Sequence, residues 1–65
     1  MPRSDEVIRR LKADGWVLIR VKGSHHIIGK PGSPTIVVVP HPKKDLPKGT
    51  LRDIYRQAGW KWPPR

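Results

Sequence analysis

Two adjacent histidines, His25 and His26, follow a Gly-Ser pair in a chain of 65 residues that holds three histidines in all, the third being His41. Imidazole gains and loses a proton near neutral pH, which suits general acid–base catalysis. Attack of an RNA 2′-hydroxyl on the neighbouring phosphate needs a proton acceptor, a proton donor and positive charge. Histidine together with lysine or arginine supplies all three without a metal ion.

Metal binding is the rival use of these histidines. The chain has no cysteine, and neighbouring residues on a strand point to opposite faces, so only one of His25 and His26 could join His41 on an ion. We therefore expect no metal and no other cofactor. The same alternation predicts that one histidine of the pair faces the open side of a sheet and the other lies at the sheet edge or under a helix. An ordinary solvated histidine remains the alternative to a catalytic one.

The formal net charge of +9 indicates a polyanionic partner, with nucleic acid as the first candidate. Residues 1–14 carry four basic and three acidic side chains, whereas residues 15–65 carry ten basic and two acidic ones. The alternative is a basic surface that only keeps the protein in solution. The candidate RNA-binding residues are Lys22 and Ser24 at a predicted turn, His41, Lys43 and Lys44 in a predicted loop, and Lys48 and Arg52 on a predicted helix.

The elements that must position these side chains are two helices and three strands. The first helix is predicted to be capped by Ser4 and to end at Gly15. The strands are predicted over 16–22, 25–30 and 35–39, with Val17, Ile19 and Val21 on the better-buried face of the first. The last helix is predicted to begin between 47 and 50, where Thr50 and Asp53 could form a capping box, and to end before Gly59.

The order α-β-β-β-α predicts one α+β domain over residues 1–65, with a three-stranded antiparallel sheet and both helices on one face. This is the layer arrangement of a double-stranded-RNA-binding domain. Residues 60–65 are predicted to be an extended tail, in which Trp60 and Trp62 either stack on RNA or pack against the domain. Trp16 and Tyr55 are predicted to lie in or beside the core. The longest apolar run, over 35–39, is too short to cross a bilayer, and we expect a cytoplasmic protein.

Four sequence segments together resemble the HicA toxins, also called the YcfA-like family. They are Gly15-Trp16, Lys22-Gly23-Ser24-His25-His26, Val38-Val39-Pro40-His41, and the run from Leu46-Pro47-Lys48-Gly49-Thr50-Leu51 to Arg56-Gln57-Ala58-Gly59. Their order and spacing extend over nearly the whole chain. The tail with Trp60 and Trp62 departs from the family's motifs.

The resemblance implies a fold like that of a double-stranded-RNA-binding domain, ribosome-independent cleavage of mRNA, and growth arrest when the antitoxin is lost. It also implies neutralisation by a HicB-type antitoxin. The essential histidine of the family lies in a Gly-Ser-His segment, which implies His25, but members with Gly-Ser-Asn-His imply His26. The resulting hypothesis is that single-stranded mRNA docks on the open face of the sheet and that His25, or His26, transfers the proton. The alternatives are a non-catalytic RNA-binding module and a protein whose main role is to bind another protein.

Overall fold

The computed structural model of the chain describes residues 2–64, so Met1 and Arg65, the last residue of the predicted tail, lie outside the described residues. The elements in chain order are α1 (Ser4–Ala13), β1 (Val17–Lys22), β2 (His25–Gly29), β3 (Ile36–Pro40) and α2 (Lys48–Ala58). The predicted α-β-β-β-α order and the α+β fold are confirmed. Among residues 2–64, neither helix is long and apolar enough to span a membrane.

The start of α1 differs from the prediction by one residue. Arg3, not Ser4, is the residue before the helix, and its backbone N–H donates to Glu6 Oε1 at 3.0 Å. Ser4 is instead the first helical residue and is buried. The prediction was wrong because the Ser4 hydroxyl takes part in a contact with residues far along the chain, which no local pattern reveals.

The three strands form one antiparallel sheet in the order β1-β2-β3. Both helices contact β3. Their apolar stripes meet Ile28, Val37 and Val39 of the sheet in the core, which is completed at one end by the loop residue Leu46. Since the helices cover one face, the opposite face of the sheet stays open.

The predicted burial of β1 is wrong. Val17, Ile19 and Val21 are 56%, 59% and 52% exposed. β1 is an edge strand, and its pairing with β2 shifts between Leu18 and Arg20, which breaks the strict alternation of faces. Leu18, which the pattern put on the other face, is the residue opposite the buried Ile28.

The last helix begins at Lys48 after Pro47, inside the predicted range. A capping box at Thr50 does not form, because Pro47, three residues earlier, is the residue before the helix, and Asp53 faces Arg56 at 3.5 Å. As predicted, the helix ends before Gly59, which has a φ of 75°.

The tail packs back against the domain. The Trp60 and Trp62 rings each form an edge-to-face contact with the Tyr55 ring, with centroids 5.2 Å and 5.3 Å away. The Arg10 guanidinium lies 3.8 Å from the Trp60 ring centroid, and Trp60 Nε1 donates to Asp14 Oδ2 at 3.2 Å. Of the two uses considered for these tryptophans, the structure therefore shows packing. Trp16 and Tyr55 are buried, as predicted.

Candidate active site

The paired histidines lie on opposite faces of β2, as the strand alternation predicts. His25 stands opposite Lys22 of β1 and Pro40 of β3, and is exposed. His26 stands opposite Val39, which is fully buried, so His26 points to the face that the helices cover. His26 is half-buried.

The side of the sheet that holds His26 also holds His41. The two imidazole rings meet edge to face, with centroids 4.7 Å apart and an interplanar angle of 76°. The β2–β3 register produces this contact, because β3 ends at Pro40 opposite His25 and the next residue, His41, donates its N–H to Ser24 O at 2.8 Å. The structure thus brings together two histidines that are 15 positions apart in the sequence.

An open cleft of about 340 Å³ contains both rings. Its lining residues are Asp5, Ile8, Arg9, Lys12, Leu18, His26 and His41. Sequence reasoning missed Arg9 and Lys12, because it looked for cations beyond the first helix. A signal was available: positions 5, 9 and 12 share one side of a helix, beside the apolar Ile8.

The surroundings of His26 favour the neutral form of its imidazole. Its Nδ1 is buried and has no hydrogen-bond partner within residues 2–64. Burial lowers the pKa of His26 below the ordinary histidine value, and the positive charges of His41 and Lys12 lower that pKa further. Both the protonated ring and the neutral tautomer that accepts a proton at Nε2 carry a hydrogen on the buried Nδ1. Proton exchange with a substrate is therefore left to Nε2.

His41 is held through Ser4. The Ser4 hydroxyl lies 2.7 Å from His41 Nδ1 and accepts the Lys43 backbone N–H at 2.8 Å. The Ser4 N–H donates to Lys43 O at 2.9 Å, so α1 and the loop after β3 are joined in both directions. Sequence reasoning assigned Ser4 a cap and missed this contact.

The other predicted RNA-binding residues form three pairs that differ in their position relative to this cleft. Lys22 and Ser24 are exposed at the β1–β2 turn. Lys43 and Lys44 line an adjoining hollow that shares His41 and Asp5 with the cleft. Lys48 and Arg52 are exposed on α2 and do not line the cleft. Across residues 2–64, no three or more histidine, aspartate and glutamate side chains are grouped to hold a metal ion.

Comparison with known proteins gives one family. The family model described as "HicA toxin of bacterial toxin-antitoxin" matches residues 4–60. A solved structure titled "HicA3 and HicB3 toxin-antitoxin complex" contains a chain that is 36% identical to this one, with a TM-score of 0.70 over 92% of this chain and 97% of that chain. A search of curated proteins finds no match. The family match spans most of the sequence, and the chain therefore belongs to the HicA toxin family.

Proposed function

We propose that this toxin is an endoribonuclease that cleaves mRNA and that His26 is its general base. The observation that carries the proposal is the contact between the His26 and His41 rings in a cleft that Arg9 and Lys12 also line. Two imidazoles and two cations can supply the proton acceptor, the proton donor and the positive charge that phosphodiester cleavage by an internal 2′-hydroxyl needs. Membership of the HicA toxin family supports the same activity.

In the proposed reaction, neutral His26 accepts the proton of the 2′-hydroxyl as that oxygen attacks the adjacent phosphorus. Lowering of the His26 pKa by burial keeps the accepting form populated at neutral pH. The Arg9 and Lys12 side chains face the negative charge that develops on the phosphoryl oxygens. The chemistry uses groups of the chain itself, so we propose that it proceeds without a metal ion or another cofactor.

His25 is the alternative base. It lies on the open face beside Lys22, and the open face was the expected RNA surface. The cleft favours His26 instead, because the second imidazole and the cations of α1 lie on the helix side of the sheet. His25 then has the role of contacting RNA that passes over the edge of the hairpin.

The remaining basic residues are proposed to hold the RNA strand. Lys43 and Lys44 extend the cleft on one side, and Lys22 and Ser24 mark the hairpin end of the sheet. Lys48 and Arg52 repeat at four residues on α2, so their side chains lie on one face of the helix and can follow a phosphate backbone. Because mRNA is the substrate, the proposed place of action is the cytoplasm.

The proposed protein partner is a HicB-type antitoxin. The similar solved structure is titled as a complex of HicA3 with HicB3, which supports a partner of this kind here. A net charge of +9 favours an acidic partner surface. Neutralisation by steric blocking requires that surface to cover the cleft with His26 and His41.

The test is cleavage of an end-labelled mRNA fragment in EDTA by the purified toxin and two matched variants, His26→Ala and His25→Ala. General base catalysis contributes roughly 10²- to 10⁴-fold, so we expect His26→Ala to lose at least about 10²-fold in rate. His25→Ala is expected to stay within about tenfold of the wild type. Circular dichroism of all three proteins checks that each is folded.

A large loss of cleavage rate for His25→Ala together with a small loss for His26→Ala would assign the general base to His25 and refute the role of His26. Equal cleavage by all three proteins would point to a contaminating nuclease. RNA binding by a folded wild type that does not cut would support a non-catalytic RNA-binding module instead.

A further inference from the structure

We infer that His41 is the general acid of the reaction and that the buried Ser4 is its positioning residue. This inference rests on the proposed function, which assigns the base and leaves the leaving oxygen without a proton donor. It adds a second catalytic residue and explains why a serine is buried inside the first turn of α1.

The placement of Ser4 is the first argument. Ser4 is 1% exposed, and a buried hydroxyl is costly unless it is hydrogen-bonded. Its oxygen has two partners, His41 Nδ1 and the Lys43 N–H, both from the loop after β3. The Leu46 N–H adds a bond from the same loop to Pro2 O, at 3.1 Å.

The His41 ring is consequently fixed from three directions. Its backbone N–H is bonded to Ser24 O, its Nδ1 lies against Ser4 Oγ, and its ring meets His26. With Nδ1 engaged by Ser4, Nε2 is the nitrogen left to exchange a proton with RNA. A group held in this way loses little freedom on reaching the reactive geometry.

The two histidines differ in the partner at Nδ1, and this difference assigns their roles. Protonated His41 can donate Nδ1–H to the Ser4 oxygen, and a hydroxyl can also donate back to neutral Nδ1, so Ser4 supports both protonation states. His26 Nδ1 has no partner in the described chain, so the protonated form of His26 is the less favoured one. His41 is thus suited to give a proton and His26 to take one.

Side chains of both charge signs surround His41. The groups that line its two sides are His26, Asp5, Arg9 and Lys12 in the cleft, and Arg3, Lys43 and Lys44 in the adjoining hollow. Asp5 lines both sides and is the carboxylate among them. Arg3 Nε hydrogen-bonds Asp5 Oδ1 at 3.1 Å, and this bond lowers the pKa of Asp5, which keeps it ionised. A negative Asp5 and several cations thus lie around the same imidazole ring.

The balanced step is as follows. His26 takes the 2′-hydroxyl proton, the O2′–P bond forms, and the P–O5′ bond breaks with its electron pair going to O5′. His41 gives its Nε2 proton to O5′. The products are a 2′,3′-cyclic phosphate and a 5′-hydroxyl end, with His26 protonated and His41 neutral until both exchange protons with solvent.

The test uses an RNA oligonucleotide in which sulfur replaces the bridging O5′ at a mapped cleavage site. A thiolate leaves without being protonated, so it needs no general acid. His41→Gln and Ser4→Ala are expected to cut the ordinary RNA at least about tenfold slower than the wild type and to recover most of that loss on the sulfur RNA. His26→Gln is expected to be slow on both, because the attacking hydroxyl is unchanged.

A double variant separates positioning from a merely structural role. If Ser4 acts through His41, Ser4→Ala adds no further loss of rate in a His41→Gln background. Additive losses would show that Ser4 only supports the fold. Should Ser4→Ala be unfolded at the assay temperature, Ser4→Cys keeps the side-chain shape with a weaker hydrogen bond and is expected to show partial sulfur rescue.

The outcomes are distinguishable. Cleavage of neither RNA by the folded wild type would overturn the proposed function itself. Cleavage by the wild type, with equal losses on both RNAs for His41→Gln and Ser4→Ala, would overturn the inference and leave His26 as the base.

Discussion

At the scale of single residues, the two adjacent histidines acquire different chemistry from their surroundings. His25 is exposed on the open face, whereas His26 is half-buried with an unpartnered Nδ1 in the described chain. Burial penalises the charged form of a titratable group. One step along a strand therefore separates a surface contact from a candidate general base.

This environment predicts a pH dependence of stability. Burial lowers the pKa of His26 in the folded protein below the 6.5 of an ordinary histidine, so the unfolded chain binds the proton more readily. The contribution of His26 to the free energy of unfolding is therefore present above about pH 6.5 and is lost as the pH falls toward the lower, folded pKa. Urea unfolding at pH 7.5 and 5.5 measures it.

The control for this measurement is His26→Gln, which cannot titrate. The wild type is expected to lose more free energy of unfolding between the two pH values than the variant does. Identical losses would contradict the assignment of a depressed His26 pKa.

At the scale of elements, α1 does more than cover the sheet. Its first turn holds the loop after β3 through Ser4, and its next turns present Arg9 and Lys12 to the cleft. α2 contributes core side chains and exposed cations but does not line the cleft. The candidate chemistry thus depends on the junction of α1, β2 and the start of the loop.

Gly49 in α2 and Gly59, the residue after α2, predict stability changes of opposite sign when each is replaced by alanine. Gly59 ends the helix with a φ of 75°, and a side chain there would meet nothing within 4 Å, so Gly59→Ala is expected to cost about 1–2 kcal/mol through backbone strain alone. Gly49 lies within the helix, also with open space around it, so Gly49→Ala is expected to stabilise by up to about 1 kcal/mol. Thermal melts of both variants measure these changes.

Each kcal/mol corresponds to roughly 4–8 °C in Tm for a domain of this size. A higher Tm for Gly59→Ala than for Gly49→Ala would show that the end of α2 does not need a left-handed residue.

At the scale of the whole molecule, the net charge of +9 is the property that a polyanion meets first. Phosphate contacts make binding steeply dependent on salt, with a slope of about 0.7 per contact for a single strand. The exposed cations of α2, Lys48 and Arg52, are candidates for such contacts outside the candidate active site.

RNA binding should therefore show which cations touch phosphate. In a His26→Ala background, which is expected to cut far more slowly, Lys48→Ala and Arg52→Ala are each expected to lower the slope of log affinity against log salt by about 0.7. Arg56→Ala is the control on the same helix, because Arg56 already faces Asp53 at 3.5 Å. Binding measured between 50 and 200 mM salt gives the slopes; equal slopes for all variants would remove α2 from the RNA surface.

Much of the fold could be predicted from local signals in the sequence. The order of the elements, the end of α2 at Gly59 and the division of His25 and His26 between two faces follow from turn residues and periodicity. The burial of β1 could not be predicted in this way, because it depends on which strand forms the edge and on a register shift.

The candidate site could likewise be predicted only in part from the sequence. The sequence by itself determined that histidines and an excess of lysine and arginine were available, since residue type fixes proton affinity and charge. Only the tertiary structure decided that His41 meets His26, that Ser4 holds His41, and that Arg9 and Lys12 join them. The physical reason is that these contacts join residues distant along the chain, so they arise from sheet register and helix packing, which no local pattern specifies.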